Sequence, residues 1–198
     1  MKNMFKLCLS SLSAMGVLLL GLGPALAGAA EPTAFQLIKE GNRYIGEQSK
    51  DKVVQVRSEK SIAGLVPNIW YVVYYDPTAA LKATEVKFGA GKMLTVKRPL
   101  RLLEPITGAD APLDVAKLKI DSDKAIQIAT REPLLEKLVL QATALKLEHS
   151  KEGPPVWKVR LWAAKLRDPR RSADVGEVTL GAEDGKVIKT DLHIDRVD

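Results

Sequence analysis

Hydrophobic positions change their spacing several times between residues 31 and 98. A first helix is predicted after Pro32, with Thr33 as its cap, because apolar and small residues recur there at helical spacing: Ala34, Leu37, Ile38, Gly41, Tyr44 and Ile45. Four strand candidates follow, at residues 53–57, 69–75, 84–88 and 93–97. Residues 89–92, Gly-Ala-Gly-Lys, predict a hairpin turn between the last two.

The same order of patterns returns in the second half. Ser122 is the predicted cap of a helix through Ala125, Ile128 and Ala129, which continues or restarts after Pro133. Strands are predicted at residues 143–147, 156–166, 175–180 and 186–194. The loop at residues 181–185 contains Asp-Gly and predicts a second hairpin.

These two series of patterns predict an internal duplication. Residues 67–70, Pro-Asn-Ile-Trp, correspond to residues 154–157, Pro-Pro-Val-Trp, and residues 85–90 correspond to residues 177–182. The predicted fold class is therefore α+β, a tandem duplication of a unit with one helix packed on a four-stranded antiparallel sheet. The predicted units span residues 31–98 and 121–198, and a linker rich in breakers spans residues 99–120.

Residues 1–30 differ from the rest of the chain. Lys2 and Lys6 precede 24 residues without charge, and the segment ends in Ala-Leu-Ala at residues 25–27. This pattern predicts a signal peptide over residues 1–27, cleaved after Ala27 or alternatively after Ala30, and hence a periplasmic or secreted protein. An uncleaved membrane anchor is the alternative, since 24 uncharged residues could span a bilayer.

Cleavage changes the meaning of the composition. The full chain of 198 residues carries a net charge of +6 and one cysteine. Loss of Lys2 and Lys6 lowers the charge to +4, and loss of Cys8 leaves a chain without cysteine. A small charge excess of this kind does not predict a nucleic-acid partner, and we expect no stable membrane insertion after cleavage.

The second predicted unit resembles the PepSY and PepSY-like domains of exported bacterial proteins. The residues that carry the resemblance are Lys-Ile-Asp-Ser-Asp-Lys-Ala at 119–125, Trp-Lys-Val at 157–159, and Asp-Gly-Lys-Val-Ile at 184–188. The first unit looks like a diverged copy, with Gly91-Lys92 in place of Asp-Gly-Lys. The resemblance implies a protein of the cell envelope that inhibits a peptidase or binds other proteins, and it implies no catalytic residues.

No motif predicts a catalytic, metal or cofactor site. Asp121 and Asp123 begin like a calcium loop, but Ile126 stands where that loop needs glycine. Residues 89–92 lack the remaining residues of a phosphate loop. His193 lies between Asp191 and Asp195 on alternate positions of a strand, so an Asp–His dyad is one interpretation and an exposed strand face is the other.

Two surface features are candidate partner-binding sites. The first is an aromatic strand in which Trp70 and Tyr74 share one face and Tyr71 and Tyr75 share the other. The alternative is that both of its faces are covered. The second is a basic hairpin loop carrying Arg167, Arg170 and Arg171, for which an acidic partner, a membrane surface and a simply solvated loop are the alternatives.

These patterns favour an exported, non-enzymatic protein-binding module. Its expected partner is another envelope protein or a peptide. On that partner it is expected to act like a peptidase inhibitor or like a chaperone. A carrier of a small hydrophobic ligand, with a pocket between helix and sheet, is the first alternative. A hydrolase that uses acidic residues or the Asp191–His193 pair is the second.

Overall fold

An antiparallel sheet dominates the computed structural model, which describes residues 31–98, 112–150 and 153–197. These residues belong to one unit, Glu31–Asp198. The predicted signal peptide lies outside the described residues, as do residues 99–111 of the predicted linker.

The regular elements of the described residues are two short helices and eight strands. The helices are α1 (Ala34–Gly41) and α2 (Ser122–Ala129). The strands are β1 (Val53–Ser58), β2 (Ile69–Tyr75), β3 (Ala83–Gly89), β4 (Lys92–Lys97), β5 (Leu138–Ser150), β6 (Gly153–Lys165), β7 (Asp168–Gly181) and β8 (Val187–Leu192). Single 3₁₀ turns cover Asn42–Tyr44, Glu47–Ser49, Pro133–Leu135 and Ile194–Val197.

All eight strands belong to a single sheet with the order β4-β3-β2-β1-β5-β6-β7-β8. At its centre, β1 pairs with β5, placing Gln55 opposite Glu148 and Arg57 opposite Lys146. The predicted fold class, a tandem duplication of a helix on a four-stranded sheet, is therefore wrong. The structure is mostly one eight-stranded sheet with two short helices, because β1 and β5 satisfy each other's backbone groups where two separate sheets would each present an edge.

One hydrophobic core extends along one face of this sheet. It joins Leu37 and Ile38 of α1 and Ala125 and Ala129 of α2 to inward-facing residues of both halves. The largest fully buried side chains are Trp70, Trp157, Tyr74 and Phe88. Burial of a large apolar side chain contributes about 1.5–3 kcal/mol, so this shared core is the main source of stability. We call the opposite face of the sheet the helix-free face.

The two helices begin at the same carboxylate. Asp121 is the N-cap of α2, where its Oδ1 accepts a hydrogen bond from the N–H of Ser122 at 2.6 Å. The same oxygen accepts a bond from the N–H of Phe35, in α1, at 3.1 Å. Ser122 Oγ accepts a bond from the N–H of Ala34 at 3.0 Å. Thr33 caps α1 as predicted, whereas the predicted cap of α2, Ser122, is the first residue of that helix, since Asp121 already occupies the cap.

Individual strands and turns were predicted more accurately than the fold class. Residues 69–75 form β2 with the predicted bounds, and the predicted turn between β3 and β4 is present, with positive φ at Ala90 and Gly91. The basic segment at residues 165–171 is not one loop. Only Leu166 and Arg167 form the turn between β6 and β7, and Arg170 and Arg171 already belong to β7.

Candidate functional site

The aromatic strand β2 divides its side chains between two environments. Trp70 is buried on the helix side, where its Nε1 donates to the carbonyl of Pro67 at 2.9 Å. Tyr74 is buried on the same side, and its hydroxyl donates to the carbonyl of Ile38 at 2.9 Å. A partner-binding role does not fit these two residues, because α1 and the core cover them.

The other two aromatic residues of β2 lie on the helix-free face. The ring of Tyr71 is half-buried between two cations, with the Arg57 guanidinium 4.0 Å and the Lys87 ammonium 5.0 Å from its centre. Its hydroxyl bonds to the carboxylate of Glu59. Tyr75 packs on a small apolar cluster with Val73 at its centre. Tyr71 is therefore the residue of β2 that is held in place and still reachable.

Register aligns one residue of each strand across this face. From the β4 edge to the β8 edge the aligned residues are Thr95, Lys87, Tyr71, Arg57, Lys146, Lys158, Thr179 and Lys189. Residues opposite each other in paired strands project to the same face. Five of the eight are lysine or arginine, so the helix-free face carries what we call the cationic row.

In the middle of the row the cations lie above the acids that pair with them, whereas at Lys87 the partner Glu59 is the more exposed side chain, at 49% against 30%. Arg57 contacts Glu85 at 2.8 Å, and the arginine side chain is 39% exposed while the glutamate is 12% exposed. Lys146 and Lys158 contact Glu148 at 2.8 and 2.7 Å, with the lysines 28% and 38% exposed and the glutamate 17%. A partner approaching the middle of the row therefore meets positive charge first.

Arg160, next to the row on β6, follows the same arrangement. Its side chain is 57% exposed, whereas its partner Asp174 is 25% exposed and accepts a hydrogen bond from Arg160 Nε at 2.7 Å. Burial alone would raise the pKa of Asp174, but hydrogen bonds from Arg160 and from the N–H of Gly176 outweigh burial and lower it. Burial is likewise outweighed at Glu148, whose pKa is lowered by hydrogen bonds from its two lysines. Both acids are thus ionised at neutral pH and hold the cations in position.

An open groove of about 360 Å³ lies among these cations. It is lined by Arg57, Ser58, Ala144, Leu145, Lys146, Lys158, Arg160 and Glu177. Four lining residues are cationic and one is acidic, while serine and alanine leave room between the longer side chains. The groove can therefore accept carboxylates of an extended chain.

Trp162 is a residue of this face that the sequence analysis did not single out. Its half-buried ring has the Lys60 ammonium 4.7 Å and the Arg160 guanidinium 5.8 Å from its centre. The sequence spacing could have predicted this position. Trp157 and Trp162 are five residues apart in one strand, and an odd separation puts two side chains on opposite faces. Burial of Trp157 in the core therefore leaves Trp162 on the helix-free face.

The three predicted partner-binding arginines lie elsewhere. Arg167, Arg170 and Arg171 are exposed at the tip of the β6–β7 hairpin, and β1 and β5 separate β6 from the strand of Tyr71. The structure therefore does not combine them with the aromatic strand. They form a second surface.

A second cleft lies near the β4 edge of the sheet. It has a volume of about 380 Å³ and is lined in part by Asp76, Thr84 and Arg98. The Asp76 carboxylate is buried and accepts bonds from the hydroxyls of Thr78 and Thr84, each at 2.6 Å. Burial alone would raise the pKa of Asp76, but these bonds and the Arg98 cation lower it from 3.8 to about 2. This carboxylate is fully engaged in structure.

The Asp191–His193 pair forms on an exposed surface. His193 Nε2 lies 3.2 Å from Asp191 Oδ1, and both side chains are about half exposed. Within the part of the chain that the structure describes, no hydroxyl or thiol bonds to the His193 ring, and no three His, Cys, Asp or Glu residues cluster as metal ligands do. None of the described helices combines the length and the apolar character needed to cross a membrane.

Comparisons with protein-family models, with curated proteins and with solved structures give no match for this chain. The resemblance to PepSY-like domains therefore stays a prediction from the sequence. What the chain does must be argued from the helix-free face and from the hairpin tip.

Proposed function

We propose that the protein is an exported, non-enzymatic binding module whose helix-free face holds an acidic segment of another envelope protein. One observation carries the proposal: at the groove, each ion pair is built with the acid beneath and the cation above. An ordinary solvated sheet face has no reason to present one sign of charge outward. Export rests on the signal-peptide pattern of residues 1–27.

Preorganisation makes such a face suited to binding. The half-buried acids and the ring of Tyr71 already restrict the cations, so binding of a partner's carboxylates requires less ordering of these side chains. Charged contacts of this kind mainly raise the association rate and fix the register of the partner. Small residues in the groove, Ser58 and Ala144, allow the partner backbone to approach the sheet.

The mode of action that follows is steric: the module covers the segment of the partner that it binds. A module that covers an acidic segment blocks that segment, as an inhibitor of a peptidase does, or shields it, as a chaperone does. The alternatives receive less support. Both clefts described above are open and lined by charged residues, whereas a carrier of a hydrophobic ligand needs an enclosed apolar pocket.

The test uses a fluorescently labelled peptide of alternating glutamate and alanine, followed by anisotropy at low salt. The variant pair Lys158→Gln and Arg160→Gln removes two groove cations, while Glu148 keeps Lys146 and Asp174 keeps the N–H of Gly176. We expect the affinity to fall about tenfold, equivalent to about 1.4 kcal/mol, and the wild-type affinity to fall as salt rises.

The matched control removes the same charge from the helix side, with Lys119→Gln and Lys124→Gln. Both lysines are exposed, and Lys124 lies on α2. The control should bind like the wild type. Equal losses in the two double variants would show that net charge rather than the groove governs binding. Equal binding of an alternating lysine–alanine peptide would show that the charge of the peptide plays no part, which would also contradict the proposal.

Photo-crosslinking identifies the natural partner. A crosslinking amino acid at Ala144, in the groove, is compared with one at Gln127, exposed on α2. In the exporting cell, the proposal predicts a crosslink at Ala144 to an acidic region of an envelope protein and none to that protein at Gln127. Crosslinks to the same protein from both positions would contradict a specific role for this face.

A further inference from the structure

We propose that the tip of the β6–β7 hairpin docks end-on into the headgroup layer of an anionic lipid membrane. Residues 165–171 of this tip contain four cations and one acid. Arg167, Arg170 and Arg171 are all exposed, and within residues 31–98, 112–150 and 153–197 they have no ion-pair partner. These arginines are therefore not neutralised by an acid of the described chain, whereas the groove cations are each paired with one.

One apolar side chain projects from the same turn as Arg167, and a second lies in a loop bonded to the neighbouring strand β5. Leu166, in the turn itself, is 69% exposed, and Ile62 is 85% exposed, more than any other large apolar residue that the structure describes. The loop of Ile62 is bonded to β5, where Ser61 and Thr143 exchange hydrogen bonds at 2.8 and 2.9 Å. The start of β5 in turn pairs with the end of β6, where Leu138 lies opposite Lys165. The hairpin tip itself therefore combines an exposed aliphatic side chain, Leu166, with exposed cations.

The arrangement of the arginines favours a lipid layer over a protein surface. Arg170 and Arg171 are consecutive residues of β7, so their side chains project to opposite faces of the hairpin. A protein surface contacts one face of a hairpin, whereas a headgroup layer surrounds a tip that enters it and can bind cations on both faces. Exposed leucine with arginine is also the combination that binds anionic interfaces.

The inference is independent of the groove, because the groove cations lie on the helix-free face and the tip lies beyond the end of β6. A cation near an anionic membrane surface changes affinity about fivefold. Loss of both Arg170 and Arg171 should therefore weaken vesicle binding about thirtyfold.

The test places a tryptophan at the tip, in Leu166→Trp, and compares it with Ile188→Trp on β8, an exposed apolar position at another site. Both full-length proteins carry the same first 30 residues, so any difference between them reports the described fold. Vesicles of phosphatidylglycerol and brominated phosphatidylcholine serve as the anionic probe, and vesicles of brominated phosphatidylcholine alone as the neutral one. We expect quenching at position 166, not at 188, with anionic vesicles only.

Arg170→Gln with Arg171→Gln, added to Leu166→Trp, should move the quenching curve about thirtyfold to higher lipid concentration. Lys119→Gln with Lys124→Gln in the same background should leave it in place. Equal quenching at positions 166 and 188, or equal quenching with neutral vesicles, would overturn the proposal. A spectral change at position 166 with a soluble glutamate-rich peptide and none with vesicles would assign the tip to an acidic protein instead.

Discussion

Asp121 is the residue whose loss tests most directly how the two halves are joined. Its carboxylate receives the first N–H of α2 at 2.6 Å and an N–H of α1 at 3.1 Å. Asp121→Ala removes the one oxygen that accepts both bonds and leaves one N–H of each helix without this partner. Asp123→Ala is the matched control, because Asp123 lies in the first turn of α2 and is exposed.

The expected cost is the sum of two local effects. Loss of an N-cap costs about 1 kcal/mol. An N–H left unpaired in a partly buried position, here that of Phe35, costs about 1–2 kcal/mol more. Asp121→Ala should therefore lower the free energy of unfolding by about 2–3 kcal/mol, whereas Asp123→Ala loses only a helix-dipole interaction of about 0.5 kcal/mol.

Urea unfolding followed by circular dichroism measures this difference. With an m value of about 2 kcal/mol per molar, Asp121→Ala should move the midpoint down by about 1 M, and the m value should not change. A midpoint shift no larger than that of Asp123→Ala would refute the shared cap. It would mean that water replaces the carboxylate at both helix ends without loss.

Three further predictions concern stability. Gly176→Ala should destabilise the sheet by more than about 3 kcal/mol, measured by urea unfolding, because φ is +114° and a Cβ there would overlap the carbonyl oxygen of Asp191; stability within about 1 kcal/mol of wild type would contradict this. Tyr74→Phe should cost about 1 kcal/mol by the same assay, since it removes the hydroxyl bonded to Ile38 and keeps the ring; no loss would show that the bond contributes nothing. The lowered pKa of Asp76 contributes stability that is fully present above its ordinary value of 3.8 and is lost as pH falls toward about 2. The free energy of unfolding should therefore fall by about 2 kcal/mol over that range in the wild type but not in Asp76→Asn. Parallel pH profiles of the two proteins would refute this assignment.

Sequence patterns were sufficient for elements whose signal is local. Alternation of side chains has a period of two within a strand, so β2 and the β3–β4 turn could be located from neighbouring residues alone. The pairing of β1 with β5 could not be predicted in this way. It joins Gln55 to Glu148 across 93 residues, and no local pattern specifies which strand edges meet.

The candidate site shows the same division. Alternation of side chains along β2 places Tyr71 and Trp70 on opposite faces of the sheet, and this could be predicted from the sequence. Which of the two faces is open depends on the position of α1, which the alternation does not specify. The cationic row depends on register among all eight strands, so Lys146 and Lys158 looked like ordinary surface lysines in the sequence. The order of cation above acid is a property of side-chain depth, which a sequence does not record.

The central position of β1 has a consequence for how the chain is made. Val53, Val54, Gln55 and Val56 are all buried in the finished sheet. Of the two strands that pair with Gln55 and Val56, β2 follows soon in the chain, but β5 begins only at Leu138. Until β5 leaves the ribosome, β1 is an apolar edge strand open to pairing with another chain. Contacts of such high sequence separation also form slowly. The interval between synthesis of β1 and of β5 is thus the period in which this protein is most prone to aggregate, and fragments that end before residue 138 should be insoluble.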